Sequence, residues 1–287
     1  MGTERKLLEG KVSIITGGSV GLGKAIALTF AKEGSHLVLA SRTKSYLEAA
    51  KQELEGFDSR VEIFPVDISR PKEVEALIDF TLSKFATIDI LVNDAGIHGP
   101  LGPMAESDID KWIYAVEVNL VGTYLCSRAV LPTMIQRRKG KMINLSGGGA
   151  TSPRPFFSAY SASKTAVVRL TETLAEEVAE FNIQVNTISP GAMNTRLLDE
   201  IARAGAAAGP KAMQEVTKQL QTGGTLMEKP AALALFLASE ESDGLTGRVI
   251  SAVWDDWKTI PQHLPDIMSS DMYTLRRIMP EDRGYNW

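Results

Sequence analysis

The feature that most constrains the fold is a repeated alternation between short β-branched runs and longer stretches with helical periodicity. This alternation is typical of a parallel sheet that is covered by helices on both faces. It predicts an α/β fold with a doubly wound sheet of the Rossmann type. The predicted strands cover residues 12–16, 36–41, 61–66, 88–92, 141–145, 183–189 and 248–253.

Helical periodicity fills most of the segments between these strands. The predicted helices cover 24–33, 46–54, a stretch from 71 onward, 107–138, a stretch ending near 181, and 230–239. Between 192 and 228 the pattern loosens around an alanine- and glycine-rich run, which predicts a mobile substrate loop or lid. No boundary separates two domains, so we expect one domain over 1–257 and a C-terminal extension over 258–287.

Charge and composition exclude several classes of protein. Lys and Arg total 31 against 35 Asp and Glu, and the net charge of -4 offers no basic field for nucleic acid or an anionic membrane. The single cysteine, Cys126, cannot form an intrachain disulfide, and the three histidines are scattered, so we expect no metal site. No apolar run approaches the roughly 18 residues of a membrane-spanning helix. These features together predict a cytoplasmic protein.

A glycine-rich loop joins the first predicted strand to the first helix. Gly17, Gly21 and Gly23 are spaced as GxxxGxG, with Ser19 and Leu22 between them. Glycine lets backbone amides approach a pyrophosphate closely, and the N-terminus of a helix favours an anion. We therefore expect these five residues to bind a nicotinamide dinucleotide. A tight structural turn or a flavin site are the alternatives that the motif alone leaves open.

The end of the second strand discriminates between the nicotinamide cofactors. An acidic residue there pairs with the ribose 2′-hydroxyl of NAD(H), whereas a basic residue accommodates the 2′-phosphate of NADP(H). This chain carries Ser41 and Arg42 at that position and no carboxylate. We therefore predict NADP(H) as the cofactor, with NAD(H) as the alternative if Arg42 only caps the surface.

A tyrosine and a lysine four positions apart form the candidate catalytic pair. Tyr160 and Lys164 lie on one face of a predicted helix, about one turn from each other. A neighbouring cation stabilises phenolate, so we expect Lys164 to lower the pKa of Tyr160 toward neutrality. Taken alone, the YxxxK pattern occurs by chance in many helices.

The motifs occur together in an order that resembles the short-chain dehydrogenase/reductase family, in its single-domain branch. The resemblance covers about residues 8–253. The matching positions are Gly17, Gly21, Gly23, Asp67, Asn93, Ala95, Gly96, Asn119, Tyr160, Lys164, Pro190, Gly191 and Thr195. The resemblance also implies a small-molecule substrate and a homotetramer, or a homodimer.

The family resemblance implies a seven-stranded parallel sheet and a role for each matching residue. Adenine would lie near Asp67 and Ile68, and Lys164 would hold the nicotinamide ribose. The other cofactor contacts that the resemblance implies are Asn93, Ala95, Gly96, Pro190, Gly191 and Thr195. Tyr160 would exchange a proton with the substrate oxygen, while Asn119 would anchor a water chain that resupplies it. The implied reaction requires no metal.

Two departures from the family pattern affect the site. Asp94 stands where the family usually has a second asparagine, a change that we expect to alter how the fourth strand is tied to its neighbours. The family's catalytic serine usually lies 13 residues before the tyrosine, and that position is Gly147. Because the following glycines are flexible, we predict that Ser146 supplies the hydroxyl that hydrogen-bonds the reacting oxygen, with Ser152 in reserve.

The C-terminal extension is a third departure from the family. The segment after the seventh strand contains Trp254, Trp257 and Trp287, beside several carboxylates. Such aromatic residues fit a subunit interface or structural packing, or else a pocket for a hydroxylated substrate. His98 poses a similar choice, because a loop histidine after Gly96 either reaches the substrate or is merely solvated.

The sequence thus predicts an NADP(H)-preferring oxidoreductase that interconverts an alcohol and a carbonyl through Tyr160, Lys164, Ser146 and Asn119. One alternative is an NAD-preferring dehydrogenase of a sugar or polyol. The other is a dinucleotide-binding sensor or scaffold that has lost turnover. The identity of the substrate depends on residues 192–228 and on the extension.

Overall fold

The computed structural model describes residues 6–287, so the first five residues of the domain predicted over 1–257 lie outside the described residues. Seven parallel strands form one sheet in the order β3-β2-β1-β4-β5-β6-β7. The strands are β1 Val12–Thr16, β2 His36–Ser41, β3 Val61–Pro65, β4 Ile90–Asn93, β5 Gly140–Leu145, β6 Ile183–Ser189 and β7 Val249–Ser251. The prediction of a doubly wound Rossmann-type sheet is confirmed.

Helices cover both faces of this sheet. They are α1 Gly21–Lys32, α2 Lys44–Glu53, α3 Pro71–Phe85, α4 Ile109–Val116, α5 Gly122–Arg137, α6 Ser158–Glu177, α7 Arg196–Ala204, α8 Pro210–Thr222, α9 Glu228–Ala238 and α10 Leu264–Met268. Helix α1 packs beside α9 in one layer, and α3 packs beside α5 in the other. The chain therefore forms three layers, with the sheet in the middle.

Alternating side chains of the central strands supply both halves of the core. Ile15 and Leu39 are fully buried in the layer of α1 and α9. Ile14 and Val38 are fully buried in the layer of α3 and α5. Successive side chains of a strand point to opposite faces, so a strand that is buried on both sides is mostly apolar. The polar strand residues that are buried, such as Ser13 and Asn144, make hydrogen bonds to other side chains.

The helical stretch predicted over 107–138 is helical from Ile109 to Arg137, but it is not one regular α-helix. Helix α4 ends at Val116, a π-helical turn covers Glu117–Val121, and α5 begins at Gly122. Such turns insert one extra residue into a helix and are frequent at functional sites. Here the turn contains Asn119, whose side chain bonds to two other segments of the chain.

Residues 192–228 fold over the carboxyl ends of the strands, and this covering segment is called the lid. The lid consists of α7, a short turn at Gly205–Ala208 and α8. Its apolar side chains Leu198, Ile201 and Val216 are buried against Phe157 and Tyr160. The lid therefore packs directly on the predicted catalytic tyrosine.

The first part of the extension packs on the body of the protein. The ring of Trp257 lies 5.4 Å from that of Phe236 in α9, and Ile260 and Ile267 are buried in the same core layer. Trp254, by contrast, is 85% exposed. These contacts favour structural packing as the role of the extension up to α10.

The extension also covers the outer edge of β7. The backbone amide of Val249 donates to the carbonyl of Tyr273 at 2.8 Å. Arg248 donates through Nη2 to the carbonyls of Ile267 and Ser270, at 2.9 and 3.1 Å. Within residues 6–287, no helix combines the length and apolar character that crossing a membrane requires.

Candidate active site

A cavity of about 1020 Å³ opens at the carboxyl ends of the strands, beside the point where the strand order reverses between β1 and β4. Ligands of open α/β sheets bind in such crevices. The predicted site residues that line it are Gly17, Ser19, Gly21, Leu22, Ser41, Arg42, Asp67, Ile68, Ala95, Gly96, Ser146, Tyr160, Lys164, Pro190, Gly191 and Thr195. The cavity lies at the upper end of the roughly 300–1,000 Å³ range of ligand sites.

Two residues predicted to contact the cofactor lie behind the cavity wall instead. An added Cβ at Gly23 would overlap the carbonyl oxygen of Gly17, so this glycine serves the close packing of α1. The amide of Asn93 donates to Asn144 at 2.9 Å and to Ser127 at 3.2 Å. Asn93 therefore ties β4 to β5 and α5, because its side chain points into the buried face of the sheet.

The glycine loop leaves the start of α1 open toward the cavity. Gly17 has a φ of +71°, and an added Cβ there would lie 2.9 Å from the backbone nitrogen of Ala95. The residue before the helix, Val20, provides no side-chain cap for the first turn. Gly21 and Leu22 of that turn line the cavity. The amides of Gly21 and Leu22, together with the helix dipole, therefore fit an anionic group such as a pyrophosphate.

A chain of hydrogen bonds crosses the end of the cavity at the tip of β2. Arg42 donates through Nη1 to the hydroxyl of Tyr114 at 3.0 Å, and that hydroxyl donates to Asp67 at 3.1 Å. Burial opposes ionisation of Asp67, but hydrogen bonds from Ser69 and Tyr114 outweigh it and hold the pKa of Asp67 below its ordinary value. The hydroxyl of Ser41 is buried without a hydrogen-bond partner. This end of the cavity thus offers one cation, one carboxylate and an unused hydroxyl.

Tyr160 and Lys164 lie together on α6, as their spacing predicts. The Nζ of Lys164 is 5.9 Å from the centroid of the tyrosine ring and donates to the carbonyl of Leu145 at 2.8 Å. Burial lowers the pKa of Lys164 to about 8. Burial also raises the pKa of Tyr160 to about 12, and the charges of Asp94 and Glu200 act in the same direction. The expected lowering of the tyrosine pKa by Lys164 is therefore absent from this arrangement.

Asn119 uses its whole side chain to join two segments around the site. Its Oδ1 accepts from the amide of Ile97 at 2.9 Å, and its Nδ2 donates to the carbonyl of Ile97 at 2.8 Å. The same Nδ2 donates to Ser163 of α6 at 2.9 Å. The π-helical turn therefore fixes the loop after β4 against the helix that carries Tyr160.

Asp94, the residue expected to alter how β4 is tied to its neighbours, lies against the glycine loop that follows β1. Its carboxylate accepts a hydrogen bond from the amide of Gly23 and lies 3.1 Å from the Cβ position of Gly17. Burial raises the pKa of Asp94 to about 7, and the nearby Lys164 only partly opposes this shift. A titrating carboxyl group thus stands on the cavity wall beside the start of α1.

The predicted serine and its glycine neighbour face different directions. Ser146 donates its hydroxyl to the carbonyl of Ile188 at 3.0 Å, across to β6. Gly147 faces Tyr160 so closely that an added Cβ would overlap the phenol oxygen. The reserve candidate, Ser152, is exposed on the cavity rim. Ser146 therefore reaches the reacting oxygen only if its hydroxyl turns away from Ile188.

Two polar contacts connect the lid to the walls of the cavity. His98 Nδ1 is hydrogen-bonded to Glu200 of α7 at 3.2 Å, and Arg154 forms an ion pair with Glu215 of α8 at 3.6 Å. Sequence reasoning missed Arg154, both glutamates and Tyr114. No motif could have found them, since each meets a partner that is distant along the chain. Within residues 6–287, no three His, Cys, Asp or Glu side chains gather as metal ligands would.

Comparison with known proteins gives consistent matches. A family model described as short chain dehydrogenase matches residues 11–205. The chain is 34% identical to the 3-oxoacyl-acyl-carrier-protein reductase of Thermotoga maritima over 246 residues, which cover 85% of this chain and 96% of that protein.

Solved structures resemble the chain over a similar length. The structure of NAD⁺-bound xylitol dehydrogenase matches with a TM-score of 0.79 and 26% identity, over 85% of this chain and 98% of that one. Actinorhodin polyketide ketoreductase with NADPH matches with a TM-score of 0.76 and 26% identity, over 84% of this chain and 95% of that one. The first of these proteins is bound to NAD⁺ and the second to NADPH.

Proposed function

This chain belongs to the short-chain dehydrogenase/reductase family, and on that premise we propose that it interconverts an alcohol and a carbonyl with a preference for NADP(H). The observation that carries the proposal is the meeting of Tyr160, Lys164 and the glycine loop in one cavity. An acid–base group beside an anion-binding helix N-terminus is what reduction of a carbonyl by a nicotinamide requires.

The residues present fit a nicotinamide dinucleotide. The uncapped first turn of α1 would receive the pyrophosphate, and Asp67 and Ile68 would lie beside the adenine end. Lys164 and residues 190–195 would hold the nicotinamide end. When bound, the dinucleotide supplies or accepts the hydride.

The preference for NADP(H) rests on Arg42 and Ser41. Arg42 is exposed at the cavity edge and still has donors beyond the one it gives to Tyr114. A 2′-phosphate would accept from the guanidinium in a bidentate manner and from the unused hydroxyl of Ser41. Residues 41–43 include no carboxylate, and the carboxylate at this end, Asp67, follows β3 and accepts from the hydroxyl of Tyr114.

Tyr160 would hold the proton for the reacting oxygen. Since burial raises its pKa to about 12, the phenol is neutral near pH 7 and able to donate to an oxygen that gains negative charge. A neutral phenol is the form that carbonyl reduction uses, because the oxygen must receive a proton. Asn119 keeps its proposed role in proton resupply, and Ser146 keeps its proposed hydrogen bond to the reacting oxygen. If Ser146→Ala retains most of its kcat/KM, another residue holds that role.

The first test is a paired titration of the purified protein with NADPH and NADH, following energy transfer from its tryptophans to the reduced nicotinamide. We expect NADPH to bind more tightly. Tighter binding of NADH would favour the alternative of an NAD-preferring polyol dehydrogenase. The likeness to xylitol dehydrogenase suggests xylitol as the first polyol to test. Failure to bind either cofactor would overturn the oxidoreductase proposal.

Turnover separates an enzyme from a sensor or scaffold that only binds the cofactor. We expect NADPH oxidation with either ethyl acetoacetate, a 3-oxo ester, or D-xylulose, the ketose related to xylitol. Tyr160→Phe removes the proton that the mechanism requires, so its kcat should fall by about 100-fold or more.

We also propose that the protein is a homotetramer in the cytoplasm. Light scattering of the purified chain measures the mass of the assembly and so tests the number of subunits.

A further inference from the structure

Tyr160 has a polar ring neighbour that the proposed function does not use. The imidazole of His98 stands edge-on to the phenol, with ring centroids 4.8 Å apart and planes inclined by 68°. The ring of Phe157 packs on the same imidazole at 5.6 Å. His98 is only 3% exposed and lines the cavity that contains Tyr160. Packing therefore holds a polar side chain beside the catalytic phenol.

Glu200 of the lid determines which nitrogen of His98 faces a ligand. The Nδ1 of His98 lies 3.2 Å from Oε2 of Glu200. This hydrogen bond is the largest influence that holds the pKa of Glu200 below its ordinary value, and Arg196 adds to it. A carboxylate at Nδ1 keeps a hydrogen on that nitrogen and leaves Nε2 for another partner. Among the side chains that the structure describes, none makes a hydrogen bond to Nε2.

The loop after β5 supplies a donor to the reacting oxygen only if Ser146 gives up its present partner. Gly147, which touches the phenol oxygen of Tyr160, has no side chain to donate. The hydroxyl of Ser146 is engaged with the carbonyl of Ile188. An oxygen that gains charge beside Tyr160 is stabilised by a preorganised second donor. His98 is a side chain that already touches the tyrosine ring and has a free nitrogen.

We propose that His98, oriented by Glu200, is a second hydrogen-bond partner of the reacting oxygen. This inference rests on the proposed oxidoreductase function. Toward a carbonyl, the imidazolium donates through Nε2 while Nδ1 donates to Glu200. Toward an alcohol, the neutral imidazole accepts the hydroxyl hydrogen at Nε2.

The position of Glu200 adds a consequence for the lid. Glu200 lies in α7, whereas His98 follows β4 in the body of the protein, so the pair exists only while α7 covers the cavity. Closure of the lid would therefore orient His98 as it excludes water from the site.

The test compares His98→Phe, His98→Gln and Glu200→Gln with the wild-type enzyme, using NADPH and either ethyl acetoacetate or D-xylulose. Phenylalanine keeps the ring packing and removes both nitrogens, so kcat should fall about 10- to 100-fold. Glutamine retains a polar group and should recover part of this loss. Glu200→Gln keeps the hydrogen bond but not the charge, and should lower kcat by about threefold to tenfold.

His36→Phe is the matched control. His36 stacks on Phe85 and accepts from the amide of Arg60 at the amino end of β2, away from the cavity. This variant should have the kcat of the wild type. The melting temperature and the Kd for NADPH of each variant establish that fold and cofactor site are intact.

A binding measurement makes the test independent of turnover. Titration of the NADP⁺ complex with 2,2,2-trifluoroethanol, followed by calorimetry, reports the partners of an alcohol oxygen. His98→Phe should bind this alcohol about tenfold more weakly than the wild type.

Two results would overturn the role of His98. One is a kcat and a trifluoroethanol Kd within twofold of the wild type in His98→Phe. The other is an effect on KM alone, which would make the histidine only a latch for the lid. Tyr160→Phe distinguishes the two proposals: if it is inactive while His98→Phe is normal, only the histidine inference fails. If Tyr160→Phe is fully active, the proposed function fails.

Discussion

The backbone of Gly147 lies directly against the hydroxyl of Tyr160, in a space that any side chain at position 147 would have to share with the phenol. The phenol cannot easily move, because Phe157 and the lid residues Leu198 and Ile201 enclose its ring. The position of the tyrosine therefore depends on the absence of a side chain at its neighbour.

Gly147→Ala should displace the tyrosine and lower kcat. Since a shift of about 1 Å at a reacting group costs on the order of 100-fold, we expect a loss of at least tenfold. The Kd for NADPH should stay unchanged. Gly148→Ala is the control, because its Cβ would meet only the mobile end of Arg154, at 2.9 Å. Equal kcat values for the two variants would contradict the prediction.

Arg42→Ala should weaken the binding of NADPH about tenfold or more, because a charged hydrogen bond to the phosphate is lost. The binding of NADH should change by less than about twofold, since it has no 2′-phosphate. Fluorescence titration with both cofactors measures the difference. Lys44→Ala, which removes an exposed cation that pairs with Glu48, is the matched control. Equal losses for both cofactors in Arg42→Ala would remove this residue as the phosphate contact.

Asp94 should make folding stability depend on pH. Its pKa in the folded chain is about 7 against an ordinary value of 3.8, so the native state binds the proton more tightly than the unfolded state. The contribution of Asp94 to stability is therefore fully present below pH 3.8 and is lost as the pH rises toward 7. Lys164, with a pKa of about 8, remains largely protonated in both states below pH 7.

Asp94→Asn should remove this dependence. Between pH 5 and pH 7 the wild type should lose about 2 kcal/mol of unfolding free energy relative to the variant. Urea unfolding at the two pH values measures it. Asp79→Asn, which changes an exposed carboxylate on α3, should follow the wild type. An equal change in unfolding free energy between pH 5 and pH 7 for the wild type and Asp94→Asn would show that this carboxyl does not titrate in the expected range.

The extension should contribute to stability and not to catalysis. Ile267 of α10 is buried in the core, so Ile267→Ala should lower the unfolding free energy by about 2–4 kcal/mol. No residue of 258–287 lines the cavity, and kcat/KM should therefore remain that of the wild type. Ile278→Ala, at a position that is 58% exposed, is the control. A large loss of kcat/KM in a folded Ile267→Ala variant would instead support a role of the extension in substrate binding.

The sheet, and the site residues that follow its strands, could be predicted because both depend on local sequence. Strands such as β1 and β2 are buried on both faces. Such burial favours runs of mostly apolar residues, and these runs are visible in the sequence. The spacing of Tyr160 and Lys164 likewise fixes one helical face. Parallel strands then bring the residues that follow them to the same edge.

Contacts between distant segments could not be predicted in this way. Glu200 meets His98 across 102 residues, and Tyr114 meets Arg42 across 72. The orientation of Ser146 and the direction of Lys164 toward Leu145 depend on backbone carbonyls that no motif marks. The π-helical turn at Asn119 could not be predicted for a different reason. Its residues keep the apolar periodicity of a helix, so the sequence does not distinguish it from a regular α-helix.

The hydrogen bond from Val249 to Tyr273 has a consequence for the behaviour of the protein in concentrated solution. A parallel sheet that ends in an open strand presents unpaired amides and carbonyls to any extended peptide, and such edges promote aggregation. Here the chain folds its own C-terminal segment over that edge. Removal of this segment would leave the edge of β7 unpaired. We therefore expect a shortened chain to aggregate at concentrations at which the full chain stays in solution.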